Sequence, residues 1–194
     1  HISAYGLTIE PRTFFGHQQK KGELTEMEQE RSGEQFLLML DEMDAHGFEQ
    51  YEVSNFCKPE FESKHNSSYW RGSHYIGYGP SAHSFDGKSR QWNVSNNSVY
   101  IKELTAGKLP FEHEELSQSM RLNEYIMTGL RTKWGIEMQR ISREFSFDFK
   151  KEYADMISEL QHDGRLIFMN ETLMLTRKGL LMADKIASDF FVTD

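Results

Sequence analysis

The sequence predicts an α/β portion followed by a mostly helical, winged-helix-like portion. Three observations predict it. Residues 2–53 read strand, helix, strand, with short β-patterned runs on either side of a run of helical period. Residues 54–98 are irregular and rich in Gly, Ser, Asn and His. From Ser117 onward the pattern becomes three amphipathic helices, a hairpin and a last helix.

Residues 2–9 read as a strand that Glu10-Pro11 stops, because proline cannot donate to a ladder. Its small face carries Ile2, Ala4, Gly6 and Thr8. Thr25-Glu26-Met27-Glu28 has the form of a capping box, opening a helix to about His46 that buries Phe36, Leu37, Leu40 and Met43. Gly47 supplies the left-handed exit, and residues 48–53 read as the next strand. Strand, helix, strand in this order predicts neighbouring parallel strands with a right-handed crossover. A short strand is expected near Arg90–Val94 and a short helix over 98–106. Helices follow at Met120–Leu130, Glu137–Phe145 and Phe149–Leu160, the last ended by Gly164. Leu166–Phe168 and Leu173–Leu175 flank a hairpin turn, and Thr176 caps a helix running to about Phe190. The boundary between the two portions is expected at 112/113.

The chain has 194 residues, 38% of them hydrophobic and 13% aromatic, enough for a substantial core. It holds 22 basic and 30 acidic residues, a net charge of −8. The excess lies in the first 116 residues, since from Ser117 onward 11 basic residues face 12 acidic ones. That balance disfavours nucleic acid as a partner, and the third helix of the winged arrangement adds Glu152, Asp155 and Glu159 to its lysines. Cys57 is the only cysteine, so neither an internal disulfide nor a thiolate-based cluster is available to this chain. A cytoplasmic location is expected, and no apolar run approaches the roughly 20 residues of a membrane span. The chain starts at His1-Ile2-Ser3-Ala4-Tyr5 rather than at methionine, which reads as a fragment lacking an N-terminal part.

The densest chemistry lies in Lys64-His65-Asn66-Ser67-Ser68-Tyr69-Trp70. His65 admits two readings. It is an axial haem ligand beside the flat faces of Tyr69 and Trp70, or it belongs to a turn leading into a short helix whose aromatics join the core. Spacing alone favours the second. Gly77-Tyr78-Gly79-Pro80-Ser81 is too short for a dinucleotide fingerprint and reads as a tight turn bringing backbone near a ligand or another strand, with His83 and Ser84 just beyond. Glu10, Glu49 and Glu52 show no pairing as acid and base.

Four blocks, in order, resemble one family. They are His1–Pro11, Tyr51–Phe56, Gly77–Ser84, and the terminal segment with Asp163-Gly164-Arg165-Leu166 and Leu175-Thr176-Arg177-Lys178-Gly179. Together they resemble the C-terminal half of the radical S-adenosylmethionine family of oxygen-independent coproporphyrinogen III oxidases and their HemW-type relatives. The resemblance implies that residues 1–112 are the C-terminal part of a radical S-adenosylmethionine barrel with its extension. It likewise implies that residues 113–194 are a HemN-type C-terminal domain. His65-Asn66-Ser67-Ser68-Tyr69-Trp70 matches the H-N-x-x-Y-W signature of the HemW type. By resemblance His65 becomes the haem-iron ligand, with Asn66, Tyr69 and Trp70 completing the haem site. Thr8 and His83 fall where the family approaches S-adenosylmethionine.

The family's cluster-binding cysteines match nothing in this chain. It is therefore expected neither to hold the 4Fe-4S cluster nor to cleave S-adenosylmethionine by itself. The parent's implied activity is haem binding and transfer to acceptor proteins. The alternative is oxidative decarboxylation of coproporphyrinogen III to protoporphyrinogen IX. The open edge of the strand at 2–9 predicts a homodimer.

Overall fold

The computed structural model describes residues 1–25 and 27–193. Strand β1 is only Ile2–Ser3, with one further ladder-like bond from Ala4 N–H to the Ser54 carbonyl at 2.8 Å. The expected strand to residue 9 does not form, because its partner strand is three residues long. Tyr5 and Leu7 are consequently exposed. A helix not foreseen, α1 (Phe14–Lys20), follows, capped by the Thr13 hydroxyl, which accepts from Gly16 N–H at 3.2 Å. Gly16 is required there, since a Cβ would lie 2.3 Å from the Glu10 carbonyl oxygen.

Helix α2 (Gln29–Ala45) begins later than expected. Glu28 occupies its cap and makes no side-chain cap hydrogen bond. The expected capping box includes Glu26, which lies outside the described residues. Leu40 is buried, Phe36 and Met43 are half-buried, and Leu37, expected inside, is exposed.

Strands β2 (Glu49–Glu52), within the strand expected over 48–53, and β3 (Asn55–Cys57), which was not foreseen, form a tight hairpin. The Glu52 carboxylate accepts from Ser54 N–H at 2.9 Å and steadies the turn. The sheet order is β1-β3-β2 with antiparallel pairs only, so the expected pairing of neighbouring parallel strands is not what forms. β1 and β2 do point the same way, but β3 stands between them. A two-residue hairpin returns the chain at once, whereas a parallel neighbour needs a long crossover. The outer edge of β2 is covered from far along the chain. Val53 N–H donates to the Arg131 carbonyl at 3.0 Å and Lys133 N–H donates to the Tyr51 carbonyl at 3.1 Å.

After α3 (Lys64–Trp70), strands β4 (His83–Phe85) and β5 (Ser89–Asn93) lead to α4 (Asn97–Thr105) and β6 (Phe111–Glu115). These strands make a second antiparallel sheet, β4-β5-β6. The short strand and helix expected here are present. β6 was not foreseen, and it runs across residues 112 and 113.

Among the described residues the remainder is a unit of six helices and three strands. Helix α5 (Gln118–Leu130) leads through β7 (Ile136–Glu137) to α6 (Met138–Phe145), α7 (Phe149–Glu152) and α8 (Ala154–His162). Strands β8 (Leu166–Met169) and β9 (Thr172–Leu175) form the expected hairpin, with β7 adding on to give the order β7-β9-β8. Asn170 and Glu171 both take positive φ, 50° and 63°, as a two-residue hairpin turn requires. The expected third helix is divided at Tyr153, whose ring packs between Phe149 and Phe190. The last helix is likewise divided into α9 (Arg177–Leu180) and α10 (Ala183–Asp189), with Thr176 capping the first.

The main core is drawn wholly from this unit, including Leu122, Ile126, Leu130, Ile136, Ile141, Phe149, Leu173 and Phe190. Each such fully buried side chain contributes about 1.5–3 kcal/mol. The first half buries far fewer large apolar groups, chiefly Leu40, Tyr51 and Phe56. Stability is therefore concentrated behind the irregular segment that carries the histidine motif.

Candidate functional site

The Ser63 hydroxyl caps α3 by accepting from Asn66 N–H at 3.2 Å, and Gly72 at φ 70° ends it. One helical turn then sorts the motif into two faces. His65 and Tyr69, four residues apart, stand on the exposed face with ring centroids 5.0 Å apart and planes at 89°. Tyr69 continues the aromatic contact to Tyr75 at 4.9 Å, and Tyr75 to Phe85 at 6.1 Å. Among the described residues the His65 imidazole makes no hydrogen bond. A nitrogen lone pair is therefore free for a ligand.

Asn66 and Trp70 take the opposite face. Asn66 Nδ2 donates to Asn55 Oδ1 at 3.4 Å, and the Ser3 hydroxyl donates to the same oxygen at 2.7 Å. Asn55 Nδ2 donates to Glu52 Oε2 at 2.5 Å. The other carboxylate oxygen, Oε1, accepts from Arg131 at 2.9 Å and 3.2 Å, and Arg131 also pairs with Asp184. Glu52 is 1% exposed. Burial works against the Arg131 charge, but Asp184 and Glu52 outweigh it and raise the guanidinium pKa. The Trp70 ring lies under the same guanidinium, 5.6 Å away. This face anchors α3 to the hairpin and to α10, and leaves His65 and Tyr69 presented outward.

The other expected site residues are not gathered here. Thr8 is exposed beyond the end of β1. His83 opens β4, its ring 6.1 Å from Trp92 on β5. The Gly77–Gly79 turn is used internally. A Cβ on Gly77 would lie 2.2 Å from the His83 carbonyl oxygen, and Asn93 Nδ2 donates to the Gly79 carbonyl at 2.9 Å.

Sequence reasoning missed Glu52, Asn55 and Arg131, whose partners lie up to 79 residues away. It also missed a cavity of about 720 Å³ between the end of α3 and helices α5 and α6, with Tyr69 and Trp70 in its wall. The i, i+4 spacing of His65 and Tyr69 was the one available signal. Among the described residues no group of three or more His, Cys, Asp or Glu side chains is arranged to hold a metal ion. No helix among them is long and apolar enough to cross a membrane.

A family model for the HemN C-terminal domain matches residues 116–182. Along its full length the chain is similar to the heme chaperone HemW of Bacillus subtilis (strain 168), with 30% identity over 98% of this chain and 50% of the relative. Heme chaperone HemW of Mycobacterium tuberculosis (strain ATCC 25618 / H37Rv) is 32% identical over 96% of this chain and 46% of its own. The mitochondrial radical S-adenosyl methionine domain-containing protein 1 of Danio rerio is 32% identical over 96% and 45%. Among solved structures, the coproporphyrinogen III oxidase HemN of Escherichia coli superposes with a TM-score of 0.63 at 15% identity, covering 80% of this chain and 40% of that one.

Helices with small, open sheets, and a segment that matches the HemN C-terminal domain, give the chain a fold like that of HemN. In sequence the chain is similar to proteins named heme chaperone HemW. It spans about half the length of the curated relatives it matches.

Proposed function

We propose that this chain is the part of a HemW-like protein that binds haem, and that the whole protein hands haem to acceptor proteins. The observation that carries the reading is His65. Its imidazole is exposed and makes no hydrogen bond among the described residues, set edge-on to Tyr69, on a helix held from behind by Asn66 and Trp70. Such a donor fits haem, whose iron accepts a neutral imidazole nitrogen. Tyr69 lies beside it as aromatic surface for the porphyrin. Asn66 and Trp70 act as positioning residues, fixing the direction of the helix. Names of relatives such as the heme chaperone of Bacillus subtilis support the same reading.

S-adenosylmethionine and a 4Fe-4S cluster are proposed for the whole protein, in line with its radical S-adenosyl methionine relatives. Thr8 and His83 are proposed to lie toward the S-adenosylmethionine. The cluster does not fit the residues of this chain. Cys57 is a lone, buried thiol whose pKa burial raises, so it supplies neither three thiolates nor a ready one. A cytoplasmic location and a two-part organisation, with a junction near Leu116 where β6 ends and the HemN match begins, belong to the same proposal. So does a homodimer through the outer edge of β1. The alternative, oxidation of coproporphyrinogen III, has support from a fold likeness alone, the HemN neighbour being 15% identical.

The test is a haem titration of the chain and its His65→Ala variant, followed by the Soret band. A shifted band in the first and its loss in the second is expected. An unchanged Soret shift in the variant sinks the role given to His65.

A further inference from the structure

The cavity beside α3 differs in charge from the rest of the chain. Four arginines and two glutamates line it, in a molecule of net charge −8. Two of the arginines are already matched. Arg90 pairs with Glu124 at 2.6 Å, and Arg140 pairs with Glu144 at 3.0 Å. The other two are not. The Arg71 guanidinium lies over the Trp134 ring, 4.3 Å from its centroid, with no carboxylate partner among the described residues. Arg121 has none among them either, and its Nε is buried without a hydrogen-bond partner among the described residues.

A buried, unpaired guanidinium N–H carries its full desolvation cost, so such groups in native folds point to something that completes them. The cation–π contact with Trp134 positions the Arg71 guanidinium, whose fork can take a carboxylate. The cavity's volume of about 720 Å³ falls within the range of small-molecule sites, and Tyr69, Tyr75 and Phe85 give it an apolar wall. Tyr69 belongs both to this wall and to the ring pair with His65.

We propose that this cavity receives the propionate-bearing edge of a porphyrin, with Arg121 and Arg71 each taking one carboxylate. The proposal rests on the haem reading of His65 and extends it. The iron lies toward His65 on the exposed face of α3, the macrocycle crosses Tyr69, and the two propionates enter between α3 and α5. Two uncompensated guanidinium groups then meet two carboxylates. Charge-assisted contacts of this kind are stronger than neutral ones and favour arginine for its fork.

The test compares haem with haem dimethyl ester, in which both carboxylates are uncharged, on the 194-residue chain and on Arg121→Gln and Arg71→Gln. Each substitution is expected to weaken haem about tenfold, the loss of one charge-assisted contact, without moving the Soret maximum of the bound form. The ester should bind the unsubstituted chain more weakly than haem does, and the substitutions should not weaken it further. Equal affinity of haem and its ester overturns the proposal without depending on whether any variant folds. Arginine variants that hold haem as tightly as the unsubstituted chain overturn it too. If those results occur while His65→Ala still abolishes the Soret shift, the cavity assignment fails and the ligand assignment stands. If His65→Ala keeps the shift while haem and ester differ as expected, the ligand assignment fails and the cavity assignment stands. Coproporphyrin III, with four carboxylates, serves as a further arm. Binding of it much tighter than haem, lost equally in both arginine variants, would reassign the cavity to the oxidase substrate and overturn the haem assignment.

Discussion

Replacing Arg131 by alanine should destabilise the chain by about 3 kcal/mol, the lower end of what removing one partner of a buried ion pair costs. The figure follows from the asymmetry of the pair. Glu52 is 1% exposed, whereas the Arg131 side chain keeps 20% exposure and reaches Asp184 on the surface side. Without Arg131, the Glu52 carboxylate keeps the Asn55 amide and the Ser54 N–H but loses the one cation it pairs with among the described residues. The Arg131 pKa is raised in the fold, so its contribution is complete below the ordinary guanidinium value and is lost only as pH climbs past the higher folded value. Across any pH at which the chain is handled, the loss should therefore be constant. In urea, with a slope of about 1–3 kcal/mol per molar, the unfolding midpoint should fall by about 1–3 M. Glu52→Gln should cost less, since the amide keeps part of the hydrogen bonding and removes the unmatched charge. Adding Glu52→Gln to Arg131→Ala should then recover part of the loss, a coupling that a double-mutant cycle reads directly. A midpoint shift below about 0.3 M for Arg131→Ala, or strictly additive losses, would refute the claim that a desolvated charge pair joins the two halves of the chain.

Gly135→Ala should unfold the wing. Gly135 has φ 65°, and a Cβ there would lie 2.3 Å from the Leu173 carbonyl oxygen, where β9 must pair with β7. A thermal midpoint within a few degrees of the original would contradict that crowding. At high pH the fold should weaken as the buried Cys57 thiol and Tyr51 hydroxyl, both with pKa raised by burial, favour the unfolded state in which they ionise first. Stability should be intact below the ordinary thiol value of 9.0 and decline above it, and Cys57→Ala should lessen the decline. A midpoint as steep in pH for the variant as for the parent assigns the effect elsewhere. Light scattering at micromolar concentration should report a dimer that Ile2→Pro disperses, and a monodisperse monomer counts against pairing through β1.

The second half was legible because its amphipathic periods are long and its core is its own. Leu122, Ile126 and Leu130 repeat every four residues along α5, and Thr176 and Gly164 mark helix ends locally. β7 was not legible, since two residues carry no alternation to read. The first half misled for a related reason. Residues 2–9 alternate well, yet alternation makes a strand only where a neighbour offers a ladder, and β3 offers three residues. The turn at Val53–Ser54 lacks the usual glycine or asparagine because Glu52 steadies it from the side. At the candidate site, the pairing of His65 with Tyr69 was present in the sequence as a four-residue spacing. The support beneath it was not, because Asn55, Glu52 and Arg131 meet only through tertiary structure. The cavity's arginines come from separate segments, and nothing local marks them as neighbours.

The two main-chain bonds that join Val53 to Arg131 and Tyr51 to Lys133 tie the β2–β3 hairpin to the end of α5. Their amide protons can exchange with solvent only when the first sheet and the helical unit come apart. Val53 and Lys133 should thus share one rate of exchange although they are far apart in sequence. That rate measures how often the seam between the first sheet and the helical unit opens.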